Sequence, residues 1–176
     1  GQLVRQEWTK ADEHLAQLVA VAQDAHADVR EYILGSRAGR TAEVEFLPSL
    51  EEYLQRFQAT YGIAVSLEVA PEIKALAVEP MTGAQLLRIL QESLTNVARH
   101  SQASECSISL RLLRDGSLQL RVRDNGVGAP PGALSQRETL GVIGMKERAS
   151  SLGGSLTITS QQGRGVCITA ILPWPK

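Results

Sequence analysis

The stretch Gln91-Glu92-Ser93-Leu94-Thr95-Asn96-Val97-Ala98-Arg99-His100-Ser101 concentrates side chains that can do chemistry. On a helix, Glu92, Asn96, Arg99 and His100 fall at i, i+4, i+7 and i+8, which places them on one face. Asn96 is a neutral oxygen donor of the kind Mg2+ accepts, since that ion takes few protein ligands and keeps waters and phosphate oxygens. Glu92, one turn earlier, can accept a proton or hold a water. An ordinary solvated helix face would show the same residue types. A second cluster is Asp124-Asn125-Gly126-Val127-Gly128. It reads either as a strand-ending turn or as a carboxylate that accepts a hydrogen bond from a base amino group, with glycines that let a ligand pack on backbone. The third, Gly141-Val142-Ile143-Gly144-Met145, opens a helix, where free backbone amides favour anions. A lone Gly-x-x-Gly is not specific. The fourth, Gly163-Arg164-Gly165, precedes the final strand and reads equally as a hairpin turn.

These clusters must be positioned by surrounding elements. Leu15, Leu18, Ala22, Ala25, Val29 and Tyr32 recur at spacings 3, 4, 3, 4, 3, which predicts one helix over 1–38 with a narrow seam. Such a stripe needs a partner helix, either earlier in a longer chain or on a second chain. Gly39 marks a break. Beyond it, Pro48, Leu50, Tyr53, Leu54 and Phe57 predict a helix that Tyr61-Gly62 ends. Ile63–Val69 alternates as a strand. Thr82 is expected to N-cap a helix to about His100, with Leu86, Leu87, Ile89, Leu90, Leu94 and Val97 buried. Cys106–Leu112 and Leu118–Val122 alternate around Asp115-Gly116, a hairpin. Residues 125–140 form a long loop rich in Gly, Pro and Ser, of the kind that is usually functional. Val142–Leu152 is a short helix, and Ser155–Ser160 and Val166–Leu172 pair around the Gln161–Arg164 turn. Adjacent strands imply a mostly antiparallel sheet with helices on one face, an α+β two-layer sandwich.

Composition excludes several function classes. Against 19 Asp+Glu stand 18 Lys+Arg, a formal net charge of −1, so neither a nucleic-acid partner nor a polybasic membrane surface is expected. Apolar residues make up 43% of the 176, enough for a core. No run approaches the roughly 20 apolar residues that span a bilayer, and residues 1–14 lack a signal-peptide apolar region. Cys106 and Cys167 both sit in apolar stretches and are expected to be buried free thiols, as in a reducing compartment. A cytoplasmic location follows, with the longer protein open to membrane anchoring. The chain starts at Gly1 and not Met, and is expected to be a piece of such a protein.

Taken together, the order is specific: Asn on a helix, Asp-x-Gly-x-Gly after a strand, a loop, a Gly-x-x-Gly helix start, then Gly-x-Gly. Over residues 46–173 it resembles the Bergerat-fold ATPases, the family of gyrase, Hsp90, MutL and the histidine kinases. Gln91–Ser101 and Gly144-Met145-Lys146-Glu147-Arg148-Ala149 resemble sensor histidine kinases of the nitrate-sensor and DesK-like subfamily. Asp28-Val29-Arg30-Glu31-Tyr32-Ile33-Leu34 resembles the second helix of that subfamily's dimerisation hairpin, which puts a domain boundary between residues 40 and 41.

The resemblance implies ATP and Mg2+ as cofactors and the following roles. Asn96 would hold Mg2+ that bridges the phosphates. Glu92 would be the catalytic base that deprotonates or orients the acceptor imidazole. Arg99 and His100 would lie along the phosphate tail. Asp124 would bind the adenine amino group, with Gly126 and Gly128 lining the base pocket. Gly141, Gly144 and Met145 would border the phosphates, residues 129–140 would be the ATP lid, and Gly163 and Gly165 would complete the ATP site. It also implies a homodimer in the full-length protein and a response regulator partner with LuxR-type output. Two features depart from the family: Val166 follows the last Gly-x-Gly where relatives often carry Thr, and no His-Asp acceptor motif is present, since His14 precedes Leu15 and His26 precedes Ala27. The acceptor His is therefore expected outside this chain. Two alternatives share the motifs: a degenerate kinase core kept as a dimerisation or interaction module, and a Ser kinase of the same fold.

Overall fold

The computed structural model describes residues 46–75, 78–129 and 139–174. The helix expected over 1–38, with His14, His26 and the break at Gly39, lies outside the described residues, as does most of the expected lid.

Helix α1 (Phe46–Tyr61) buries Phe46, Leu50, Leu54 and Phe57, a 4, 4, 3 spacing that keeps one stripe inward. It ends where Gly62 takes φ +67° and returns its N–H to the Gln58 carbonyl at 2.9 Å. Strand β1 (Ala64–Val69) leads into a four-residue helix α2 (Pro71–Lys74), whose Ile73 is fully buried. No periodicity shows over four residues, so α2 is absent from the sequence reading. Helix α3 (Pro80–Asn96) starts earlier than expected: Glu79 is the N-cap and Pro80 occupies the first turn. Thr82 is not the cap. It lies buried inside the helix and donates from Oγ1 to the Glu79 carboxylate at 2.7 Å. Proline's fixed φ and missing N–H suit the first helical position, and that outweighs a capping hydroxyl two residues later. The helix then widens into a π-helical turn over Val97–Ser101, and Gln102 at φ +53° terminates it.

Strands β2 (Glu105–Leu112) and β3 (Leu118–Asp124) form the first hairpin. Helix α4 (Leu140–Ser151) precedes the second, β4 (Ser155–Ser160) and β5 (Val166–Leu172). The five-stranded sheet has the order β1-β2-β3-β5-β4. β1 runs parallel to β2 and every other neighbour pair is antiparallel. Alternation sends Cys106, Ile108 and Leu110, Leu118, Leu120 and Val122, and Ile168, Ala170 and Leu172 to one face. There they meet Leu86, Ile89, Leu90 and Leu94 of α3 and Met145 and Ala149 of α4 in one core. The architecture is the α+β two-layer sandwich. Its consequence for the cysteines is a correction. Cys106 is buried, but Cys167 points with Thr169 to the other face, is only half-buried, and accepts the Arg121 Nε–H at 3.1 Å. The alternation that buries Ile168 forces Cys167 outward.

Candidate functional site

A cavity of about 550 Å3 opens between the end of α3, the first half of α4 and strands β3, β4 and β5. This is the size of a small-molecule site. Val122, Leu156, Ile158, Val166 and Ile168 give it an apolar floor, and Asn96, His100, Asp124 and Lys146 are its chargeable or strongly polar wall.

Asp124 ends β3 on the inward side and is 4% exposed. Its Oδ1 accepts the Gly126 N–H at 2.8 Å and its Oδ2 accepts the Val166 N–H at 3.1 Å, which clamps the carboxylate between two chain segments. A carboxylate oxygen accepts along two directions, so each oxygen keeps capacity for a ligand donor. Its negative charge, after burial itself, helps push the neighbouring Cys106 thiol up to about 12. Asn125 is occupied elsewhere: its Oδ1 accepts the N–H groups of Ser104 and Glu105 at 3.0 and 3.1 Å, stapling the start of β2.

The glycines around Asp124 clear protein backbone. A Cβ on Gly126 would stand 2.2 Å from the Ser101 carbonyl oxygen. Gly128 has φ +63°, and its Cβ would stand 2.1 Å from the Gln161 carbonyl. Gly165, at φ +77°, would place Cβ 2.1 Å from the Asp124 carbonyl. Hydrogen bonds hold the same seam: Val127 N–H to Ser101 O at 2.8 Å, Gly163 N–H to Val127 O at 2.7 Å, and Ala129 N–H to Ser160 Oγ at 2.7 Å. The Gly163-Arg164-Gly165 turn is thus the outer buttress of the Asp124 loop.

At the other end, Asn96 donates from Nδ2 to Glu92 Oε1 at 3.3 Å. That bond assigns the amide nitrogen to Glu92 and leaves the amide oxygen available as a donor atom for a cation. Among the described residues no group of three or more His, Cys, Asp and Glu side chains could hold a metal. A cation here would therefore rest on Asn96 and on ligand oxygens, a donor set that fits Mg2+. The π-turn after Asn96 brings His100 onto the cavity wall and leaves Arg99 exposed off it. Thr139 caps α4, accepting the Val142 N–H on Oγ1 at 3.4 Å and the Ile143 N–H on its carbonyl at 3.0 Å. Met145, buried, lines the cavity and receives the Ser93 hydroxyl on its sulfur at 3.5 Å.

Of the residues singled out from sequence, Asn96, His100, Asp124, Gly128 and Met145 line one cavity. Glu92 joins them through Asn96, and Gly126 and Gly165 through Asp124. Gly141 packs on Glu92, while a Cβ on Gly144 or Gly163 would meet nothing within 4 Å. Sequence reasoning missed Lys146 and Thr139 on the wall. Lys146 was detectable as the residue that joins Val142 and Met145 on one helical face.

The sequence profile of the histidine kinase-, DNA gyrase B- and HSP90-like ATPase family matches residues 81–176. The sensor histidine kinase LnrJ of Bacillus subtilis (strain 168) is 34% identical over 96% of this chain and 41% of that protein. The nitrate/nitrite sensor protein NarX of Escherichia coli (strain K12) is 31% identical over 87% of this chain and 25% of its own length. The chain thus spans well under half of these relatives. Among solved structures, the histidine kinase domain of the Erythrobacter litoralis EL346 blue-light activated histidine kinase superposes with a TM-score of 0.64. That match is 19% identical and covers 81% of this chain and 69% of the other, which is a likeness of fold.

Proposed function

The chain belongs to the family of histidine kinase-, DNA gyrase B- and HSP90-like ATPases, as the ATP-binding catalytic domain of a sensor histidine kinase, and we propose that its cavity binds Mg-ATP for phosphoryl transfer to a histidine outside these 176 residues. The observation that carries the proposal is the clamped Asp124 carboxylate at one end of the cavity and the Asn96 amide at the other.

On this reading Asp124 accepts the amino group of adenine while the ring lies on the apolar floor. Asn96 holds Mg2+, which when bound neutralises phosphate charge and orients the terminal phosphoryl group. His100 stands toward the phosphate tail, with Arg99 exposed off the cavity wall, and the N-terminal end of α4 favours the tail's negative charge. Gly126, Gly163 and Gly165 act at a distance, by shaping the loop that presents Asp124. Glu92 orients the incoming imidazole or takes its proton. Phosphoryl transfer asks the protein for positioning and charge neutralisation, and the constellation supplies both. The phosphorylated histidine then donates to an aspartate of a response regulator of LuxR-type output, and the complete kinase works as a homodimer. Among the described residues no helix is long and apolar enough to cross a membrane.

Calorimetric titration of this chain with ADP tests the reading. Saturable binding is expected with Mg2+, weakened about tenfold or more by EDTA, and the Mg2+ dependence should vanish in Asn96→Ala. No binding heat and no thermal shift at about 1 mM nucleotide would refute nucleotide binding.

A further inference from the structure

We propose that Gly141 is a positioning residue for Glu92, resting on the phosphoryl-transfer reading above. Its missing side chain is the seat of the Glu92 carboxylate. An ideal Cβ on Gly141 would stand 1.9 Å from Glu92 Oε1, 2.8 Å from its Cδ and 3.4 Å from its Cγ. These are the three nearest atoms, and all belong to one side chain. Gly141 does not line the cavity, and its φ lies outside the left-handed region, so the helix backbone does not require glycine there. Glycine is a poor helix former, and it occupies the first turn of α4. The contact with Glu92 accounts for it.

The same Glu92 oxygen links to Asn96, whose Nδ2 donates to Oε1 at 3.3 Å. A methyl group at 141 therefore displaces the atom that orients both the proposed base and the proposed cation ligand. The obstructed group is the far end of a flexible chain and not backbone, so the substitution redirects Glu92 without breaking the fold. Gly144, three residues on in the same helix, is the contrast: its Cβ would meet nothing within 4 Å. Loss at Gly141 must act through Glu92, whereas any loss at Gly144 must act independently of it.

The test is a double-mutant cycle in the complete kinase, with phosphoryl transfer from Mg-ATP to the acceptor histidine as the readout. Gly141→Ala is expected to lower kcat by roughly tenfold or more, the scale of a misplaced catalytic group, with the KM for ATP changed by less than about threefold. In the Glu92→Ala background, where the obstructed side chain is gone, it should add no further loss, while Gly144→Ala should combine additively with Glu92→Ala. Glu92→Asp, one methylene shorter, should restore part of the Gly141→Ala rate. Additive behaviour of Gly141→Ala with Glu92→Ala overturns the proposal and leaves the kinase reading intact. An unchanged kcat in Glu92→Gln alone overturns both the positioning role and the role of Glu92 itself. Should Gly141→Ala fail to fold, Gly141→Ala with Glu92→Ala must fold, because the obstruction is gone; if that pair also fails, Gly141 serves the backbone and the proposal falls.

Discussion

Asp124→Asn separates adenine recognition from general cleft integrity. The carboxylate accepts two backbone N–H groups, from Gly126 at 2.8 Å and from Val166 at 3.1 Å. An amide in its place has one oxygen, so its NH2 group must face one of those N–H donors. One buried charge-assisted bond is lost and a donor-donor contact replaces it, a cost of about 1.5–3 kcal/mol. For a domain of this size the melting midpoint should fall by roughly 5–12 °C. The ligand loses its acceptor as well. An unpaired buried amino group costs about 1.5–3 kcal/mol, equal to roughly a 10- to 150-fold weaker ADP affinity. GDP carries a carbonyl where ADP carries the amino group, and the new NH2 can donate to it, so the ratio of ADP to GDP affinity should fall further than either constant. Calorimetry with both nucleotides, well below the variant's midpoint, measures that ratio free of any change in folded fraction. An ADP to GDP ratio equal to the parent's, in a variant that melts cooperatively, refutes the proposed adenine contact.

Other consequences of the same geometry are open to measurement. Gly128→Ala forces a side chain into φ +63° and against the Gln161 carbonyl, and should cost about 3 kcal/mol or more in urea unfolding. Gly62→Ala carries a similar φ of +67° with nothing within 4 Å and should cost only about 1–2 kcal/mol; equal costs would refute the backbone-clearance argument. Burial and the Asp124 charge raise the Cys106 thiol to about 12, so the fold favours the neutral thiol. That contribution is complete below the unfolded thiol's roughly 8.5 and is lost as pH rises toward 12, so Cys106→Val should flatten the alkaline limb of the stability curve. In the native protein iodoacetamide should reach the half-exposed Cys167 well before the buried Cys106, as mass spectrometry of the alkylated peptides would show.

Much of the fold was readable because it rests on period and punctuation. The strands alternate cleanly, and Asp115-Gly116 turns the first hairpin with Gly116 at φ +83° and the Ser117 N–H on the Asp115 carboxylate at 3.0 Å. That same carboxylate is fully exposed, and the two Ser117 hydrogen bonds hold it below the usual range. Features without a period escaped. Helix α2 is one turn long, and the π-turn over Val97–Ser101 breaks the 3.6-residue phase, so that His100 reaches the cavity wall with Asn96 while Arg99 is left off it. The glycine motifs were visible as motifs, but their reasons were not. What a missing Cβ clears is a matter of tertiary neighbours: Ser101 for Gly126, Gln161 for Gly128, Glu92 for Gly141.

Those neighbours divide the cleft into two ends of different character. Around Asp124 every cleared atom nearest the would-be Cβ is a carbonyl oxygen, and the seam is stitched by backbone hydrogen bonds from Val127 and Gly163. Backbone cannot step aside, so this end presents its carboxylate in one fixed position, as discrimination between bases requires. Around Gly141 the cleared atom is a carboxylate oxygen at the tip of a three-torsion chain that ends in a 3.3 Å bond to Asn96. Such a group can rotate when phosphate or an acceptor side chain arrives. On the proposed reading, a nucleotide held rigidly at its base and loosely at its phosphates would suit phosphoryl transfer to a histidine outside these 176 residues: the base end would set which nucleotide binds, and the adjustable end would be where that histidine completes the geometry.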